Sequence, residues 1–171
     1  VCDENNLYWY EDPYKDGGVS ISGNKVLSEK LSTPILVGEH MRNFETSTDM
    51  LVNGASFFSR ADPDYDGGIT GSLKLAIASE GLGADCEIHS CGPAMRHLIS
   101  ALRNSNFYEV NLLHPNCKNA WSLPIYLDEY SDEIDCIDNN GNVTVSDKPG
   151  WGVLYDWDHI KKHTLHKVII D

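Results

Sequence analysis

The segment at residues 34–62, PILVGEHMRNFETSTDMLVNGASFFSRAD, decides the fold. It opens on a short apolar run, Ile35-Leu36-Val37-Gly38, which reads as a buried strand after Pro34. Phe44 to Asn53 follows with helical spacing, and Gly54 is a stop signal. Ala55 to Ser59 then reads as a second strand. Strand, helix, strand in that order predicts parallel pairing through a helical crossover.

The same rhythm runs outward in both directions. Upstream, Leu7-Tyr8-Trp9-Tyr10 is a strand candidate, followed by the turn-rich stretch Asp12 to Gly23 and a short helix pattern at Lys25 to Leu31. Downstream, Thr70 to Gly81 is amphipathic, with Leu73, Ala76, Ile77 and Glu80 at helical intervals. Cys86-Glu87-Ile88 is a fourth strand, Pro93 to Arg103 a helix with Pro93 in its first turn, and Phe107 to Val110 a fifth strand. Successive strands start roughly 20 to 30 residues apart, the size of one βα unit. The regularity ends after Leu112. Asp138 to Asn142 then separates Ile134–Ile137 from Val143–Val145, a hairpin signal with Asn140-Gly141 suited to positive φ. A short helix starts near Asp156. The expected division is 1–112 as βα units and 113–171 as a C-terminal segment whose hairpin packs back on the first part.

Composition narrows the function classes. The chain has 171 residues, 41% of them hydrophobic and 23% charged, as in an ordinary globular protein. Acidic residues number 26 against 13 basic ones, giving a formal charge of -13. Such a surface repels phosphate backbones and anionic lipid, so neither nucleic acid nor a membrane is an expected partner. No apolar run approaches the roughly 18 residues of a membrane span. The N-terminus shows no secretory signal and no initiator Met. Five cysteines, an odd count without a C-x-x-C pair, argue against a disulfide framework or a thiolate zinc site. A cytoplasmic location with reduced thiols is the expectation.

An ionisable residue stands at or just beyond the end of every predicted strand: Glu11, Glu39, Asp62, His89 and Glu109. In parallel α/β architectures these ends face one crevice, and in a (β/α)8 barrel they form the active-site rim. Singly, each Glu reads as well as a solvated or helix-capping side chain, and His89 as a surface histidine. Jointly, they crowd carboxylates that a cation or a proton must compensate. An oxygen-rich set without Cys suits a hard cation such as Mg2+. His89 is the obvious neutral base at pH 7. Arg60 alternates with Ala61, so it either points inward to a carboxylate or faces away. His159, His163 and His166 read as a solvated terminal segment.

At these residues the chain resembles the enolase superfamily, in particular the mandelate racemase and muconate lactonizing enzyme group. The matching segments are Trp9-Tyr10-Glu11-Asp12-Pro13, Pro34 to Glu39, Asp62 to Thr70 and Glu87-Ile88-His89, with Pro149-Gly150-Trp151-Gly152-Val153 near the end. They are collinear from about Leu7 to His159. The resemblance implies a TIM barrel of the (β/α)8 type, of which this chain covers strands four to eight. It implies that Glu11 and Glu39 bind Mg2+, that Asp62 and His89 form a catalytic dyad, and that Glu109 contacts the substrate carboxylate or its enediolate. The family's third metal carboxylate, its Lys motif and its capping domain would precede residue 1, so the chain is expected to need strands one to three and the cap. Tyr65 stands where racemase-like members often carry Lys. His40 and Arg42 lie in the loop that binds substrate oxygens in dehydratase-like relatives, and Arg60 and Tyr65 join them as substrate-binding candidates. The implied function is abstraction of the α-proton of a hydroxy-carboxylate, with dehydration of an acid sugar to a 2-keto-3-deoxy acid favoured. A racemase, epimerase or cycloisomerase is the alternative, and a non-catalytic fragment the reading from another class. Family membership also implies a homo-oligomer.

Overall fold

Four short strands carry the fold in the computed structural model, which describes residues 1–15, 18–111 and 124–170. They are β1 (Tyr10–Glu11), β2 (Ile35–Val37), β3 (Phe58–Ala61) and β4 (Cys86–Ile88). They form one sheet in chain order, every pair parallel, with Tyr10 opposite Ile35, Leu36 opposite Phe58 and Arg60 opposite Glu87. Between them run α1 (Ile21–Ser28), α2 (Phe44–Val52) and α3 (Gly68–Gly81), and α4 (Pro93–Ser100) follows β4. Sequential parallel neighbours joined by helices are what a section of barrel wall requires.

Local chemistry sets the helix starts. Ser20 accepts the Gly23 N–H ahead of α1, and Asn43 accepts the Thr46 N–H ahead of α2. α3 begins without a side-chain cap after Gly67, whose φ of 79° favours glycine.

Helices cover one face of the sheet through two apolar clusters. Ile35, Val37, Met41, Met50 and Ala55 form the first. Ala61, Leu75, Ala76, Cys86, Ile88, Met95 and Leu98 form the second. Strand residues alternate, so Leu36, Phe58, Arg60, Glu87 and His89 face the opposite side. There Tyr8, Trp9, Phe58 and Phe107 pack edge to face or tilted, with ring centroids 5.2 to 5.9 Å apart. β2 and β4 are buried on both faces, which explains the unbroken apolar run of β2 better than alternation would, while β4 buries Glu87 on the inner face.

Two expected strands are displaced. The first is centred on Tyr10–Glu11 instead of Leu7–Tyr10, and the third on Phe58–Ala61 instead of Ala55–Ser59. Ala55 belongs to the helix-side cluster before the ladder starts. The fifth expected strand does not form a ladder. The Glu87 carboxylate accepts the backbone N–H groups of Asn106 and Phe107, so a side chain takes the donors that a neighbouring strand would use.

Two compact units are present: Val1–Ser90 with Ala94–Glu109, and Cys91–Pro93 with Val110–Asp171. The second holds an antiparallel bridge from Ile137 to Val143 around the left-handed Gly141, and a bridge from Tyr126 to Tyr155. It also holds α5 (Trp157–His163), capped by Asp156. Cys2 and Cys86 are free thiols, while Cys117 lies outside the described residues. Among the described residues, no helix is long and apolar enough to cross a membrane.

Candidate active site

Every strand-end residue singled out in the sequence falls in the first unit, on the face away from the helices. Asp62 is the most buried of them. Its side chain is 2% exposed. Oδ1 accepts the Asp64 N–H, and Oδ2 lies 2.5 Å from His89 Nδ1. The Asp62 N–H is held in turn by Asp66 Oδ2 at 2.7 Å. The Asp62–Gly68 turn is pinned from behind, because a Cβ on Gly71 would sit 1.5 Å from the Asp66 carbonyl oxygen.

His89 extends β4, its N–H donating to the Ala61 carbonyl. Nδ1 faces Asp62, and Nε2 lies 3.3 Å from Glu39 Oε2. Burial alone pulls its pKa down, but the hydrogen bond to Asp62 and the charges of Glu39 and Glu109 outweigh burial and raise it above the usual value.

Arg60, one pleat below Asp62, is the hub of the carboxylates. Its Nε lies 3.0 Å from Glu11 Oε1 and 3.2 Å from Glu39 Oε2, and its Nη2 lies 2.9 Å from Glu109 Oε1. The second oxygen of Glu109 accepts the Ser90 N–H. Ser90 has a φ of 71°, a strained conformation for a residue with a side chain, and such strain concentrates at functional sites.

Glu39 is delivered by Gly38, where β2 and β3 approach so closely that a Cβ would sit 2.2 Å from the Arg60 carbonyl oxygen. The other side of Glu39 faces His40, whose Nε2 lies 3.6 Å from Oε1 and 3.4 Å from Asp12 Oδ2. Asp12 also has positive φ, 40°, and its N–H donates to the Leu36 carbonyl. Asp12, Glu39 and His40 each offer a ligand atom, and these atoms lie within 4.8 Å of one another. Burial raises the pKa of Glu11, opposed by Arg60 and reinforced by Glu39. Asp12 is raised too, by burial and then by Glu39. Crowded, partly desolvated carboxylates of this kind favour a bound cation.

The structure thus gathers Glu11, Glu39, Arg60, Asp62, His89, Glu109 and His40. Arg42 and Tyr65 pair with each other, the guanidinium 4.0 Å above the ring. Asp12 and Ser90 belong to the cluster but were not singled out in the sequence. Asp12 carried a signal in its position between Glu11 and Pro13. Ser90 carried none, since its contribution is a backbone N–H.

Comparison with known proteins bears on the family and the fold. The sequence model of the family described as enolase C-terminal domain-like matches residues 1–159. A Caldivirga maquilingensis protein that carries the name L-rhamnonate dehydratase is 29% identical over 154 residues, covering 89% of this chain and 37% of that protein. The crystal structure of D-glucarate dehydratase from Agrobacterium tumefaciens complexed with magnesium superposes with a TM-score of 0.80 at 26% identity, over 94% of this chain and 41% of that one. A Pseudovibrio sp. protein assigned to the mandelate racemase/muconate lactonizing enzyme group gives a TM-score of 0.79 at 25% identity, over 96% of this chain and 42% of that one. The chain therefore spans about two-fifths of the length of these relatives.

Proposed function

The chain belongs to the enolase C-terminal domain-like family, and on that premise we propose that it supplies the acid–base half of a Mg2+-dependent enzyme acting on acid sugars. The reaction is removal of the α-proton of a hydroxy-carboxylate followed by loss of the β-hydroxyl, giving a 2-keto-3-deoxy acid. The observation that carries the reading is the His89–Asp62 pair at 2.5 Å, standing beside the carboxylate cluster at the strand ends. The proposal is for the protein in which this chain is joined by strands one to three and the capping domain.

The donor set suits Mg2+. Glu11 and Glu39 would hold the ion, with Asp12 beside them, and all three offer the hard oxygen donors that this cation prefers. When bound, the ion supplies positive charge against the oxyanion that develops as the α-proton leaves. The remaining work falls to the chain's own side chains.

His89 takes the α-proton at Nε2, the ring nitrogen not committed to Asp62. Asp62 fixes the ring orientation and favours the cation formed by that transfer. Its own hydrogen bonds from Asp64 and the His89 ring leave it little freedom to turn. A pKa raised above the usual histidine value makes His89 a stronger base. The protonated imidazole can then return its proton to the departing hydroxide. Glu109, tied to Ser90 and Arg60, meets the substrate carboxylate edge. His40 and Arg42 would bind sugar hydroxyls, and Tyr65 holds Arg42 in place.

Tyr65 favours dehydration over racemisation. A 1,1-proton transfer needs a base on each face of the α-carbon, and a phenol lying under the Arg42 guanidinium lacks the amine lone pair that a lysine would offer as the second. The relatives include both dehydratases and members of the racemase group, so the test must separate the two.

The test is α-proton exchange in deuterated water with Mg2+, run on a panel of acid sugars that includes L-rhamnonate and D-glucarate. Exchange with 2-keto acid release is the expected result, and exchange without release would support the isomerase reading. His89→Asn should lower exchange by about 10²-fold or more while Mg2+ binding is retained. Undiminished exchange in that variant removes His89 from the role of base.

A further inference from the structure

We infer that Arg60 is the resident counter-cation of this site and competes with the divalent ion for Glu11 and Glu39. This rests on the reading of those two residues as metal carboxylates. Arg60 is 7% exposed at its side chain, and a guanidinium stays charged at every accessible pH. Its Nε donates to Glu39 Oε2 at 3.2 Å and lies in ion-pair contact with Glu11 Oε1 at 3.0 Å. One positive group thus spans the two carboxylates assigned to the ion. The divalent ion and the guanidinium together bring three positive charges to two carboxylates in a half-buried site, so loading the ion weakens the hold of Arg60.

The carboxylates do not depend on Arg60 alone for their placement. Glu39 also faces His89 Nε2 at 3.3 Å and His40 Nε2 at 3.6 Å. Glu109 also accepts the Ser90 N–H. Removing the guanidinium therefore leaves Glu39 near its position and raises the negative charge that a cation meets. In the metal-free protein, Arg60 keeps like charges from driving the cluster apart. In the loaded protein, it sets the affinity lower than the carboxylates alone would give.

The experiment titrates the full chain with Mn2+ alone, followed by electron paramagnetic resonance, for wild type, Arg60→Met, Arg60→Lys and Glu39→Gln. Arg60→Met should bind Mn2+ at least about tenfold more tightly than wild type. Arg60→Lys, which keeps the charge, should stay near wild type, and Glu39→Gln should lose the site. Equal or weaker binding by Arg60→Met, with wild-type binding intact, overturns the competition alone. Binding by neither wild type nor Arg60→Met overturns it together with the reading of Glu11 and Glu39 as ligands. Should Arg60→Met fail to fold, the wild type answers by nuclear magnetic resonance. The Arg60 Nε–H signal, identified by its loss in Arg60→Lys, should exchange slowly with water without metal and measurably faster when Mg2+ is saturating. Unchanged exchange overturns the inference.

Discussion

Asp3 shows how a single carboxylate fastens the N-terminal segment to the turn ahead of β2. Its oxygens accept the N–H groups of Ser32 and Thr33 and the Thr33 hydroxyl, at 2.7 to 3.1 Å. The Thr33 hydroxyl and these two N–H groups hold the Asp3 pKa below its ordinary 3.8. A depressed carboxyl contributes stability above its unfolded pKa, and that contribution is lost as pH falls through the lower, folded value. Asp3→Asn should therefore unfold at lower denaturant than wild type at pH 7, and the gap should close as the medium is acidified below about pH 4. A variant as stable as wild type at pH 7 would contradict this role. At this scale much of the site was legible, because Glu11, Glu39, Asp62, His89 and Glu109 are ionisable residues placed at strand ends. Asp12 and Ser90 were not, since both depend on positive φ at residues that sequence patterns expect elsewhere. The mutual stacking of Arg42 and Tyr65 was equally hidden, because nothing in their spacing says that they touch.

Elements position these residues through close backbone approach. Gly38 lets the end of β2 lie against Arg60 in β3, so one glycine sets the separation of Glu39 from its guanidinium partner. A methyl there would have to displace backbone, which a strand cannot give cheaply. Gly38→Ala should cost about 1–3 kcal/mol or more in chemical denaturation and should also weaken Mn2+ binding, because Glu39 is displaced with the strand. Wild-type stability and wild-type binding together would refute that account. Helix α2 and strand β4 were readable from sequence almost to the residue, since apolar spacing and stop signals agree there. The Phe107–Glu109 segment was not. Its residues have strand character, yet Glu87, 1% exposed, satisfies the backbone donors that would otherwise build a ladder. A buried glutamate facing the barrel interior has no sequence signature that separates it from a catalytic one.

The first unit as a whole is a section of parallel barrel wall, with an aromatic layer below and an ionisable layer above. Tyr8, Trp9, Phe58 and Phe107 fill the side nearer the strand starts. Arg60 and Glu87 come next, and the dyad and carboxylates lie at the strand ends. This layering follows from the two-residue period of strands, which puts Phe58, Arg60 and Asp62 on one face at successive heights. The architecture was readable because strand-helix alternation repeats, whereas the second unit lacks a period and yielded only its hairpin turn and terminal helix. The chain represents about two-fifths of the length of the relatives it matches.

The most direct test of convergence is an anomalous-diffraction map from crystals of the protein soaked in Mn2+. A peak held between the carboxylates of Glu11 and Glu39, with His89 and Asp62 facing the same cavity, is the predicted result. A peak on other residues, or these four side chains directed to different faces of the sheet, would contradict it.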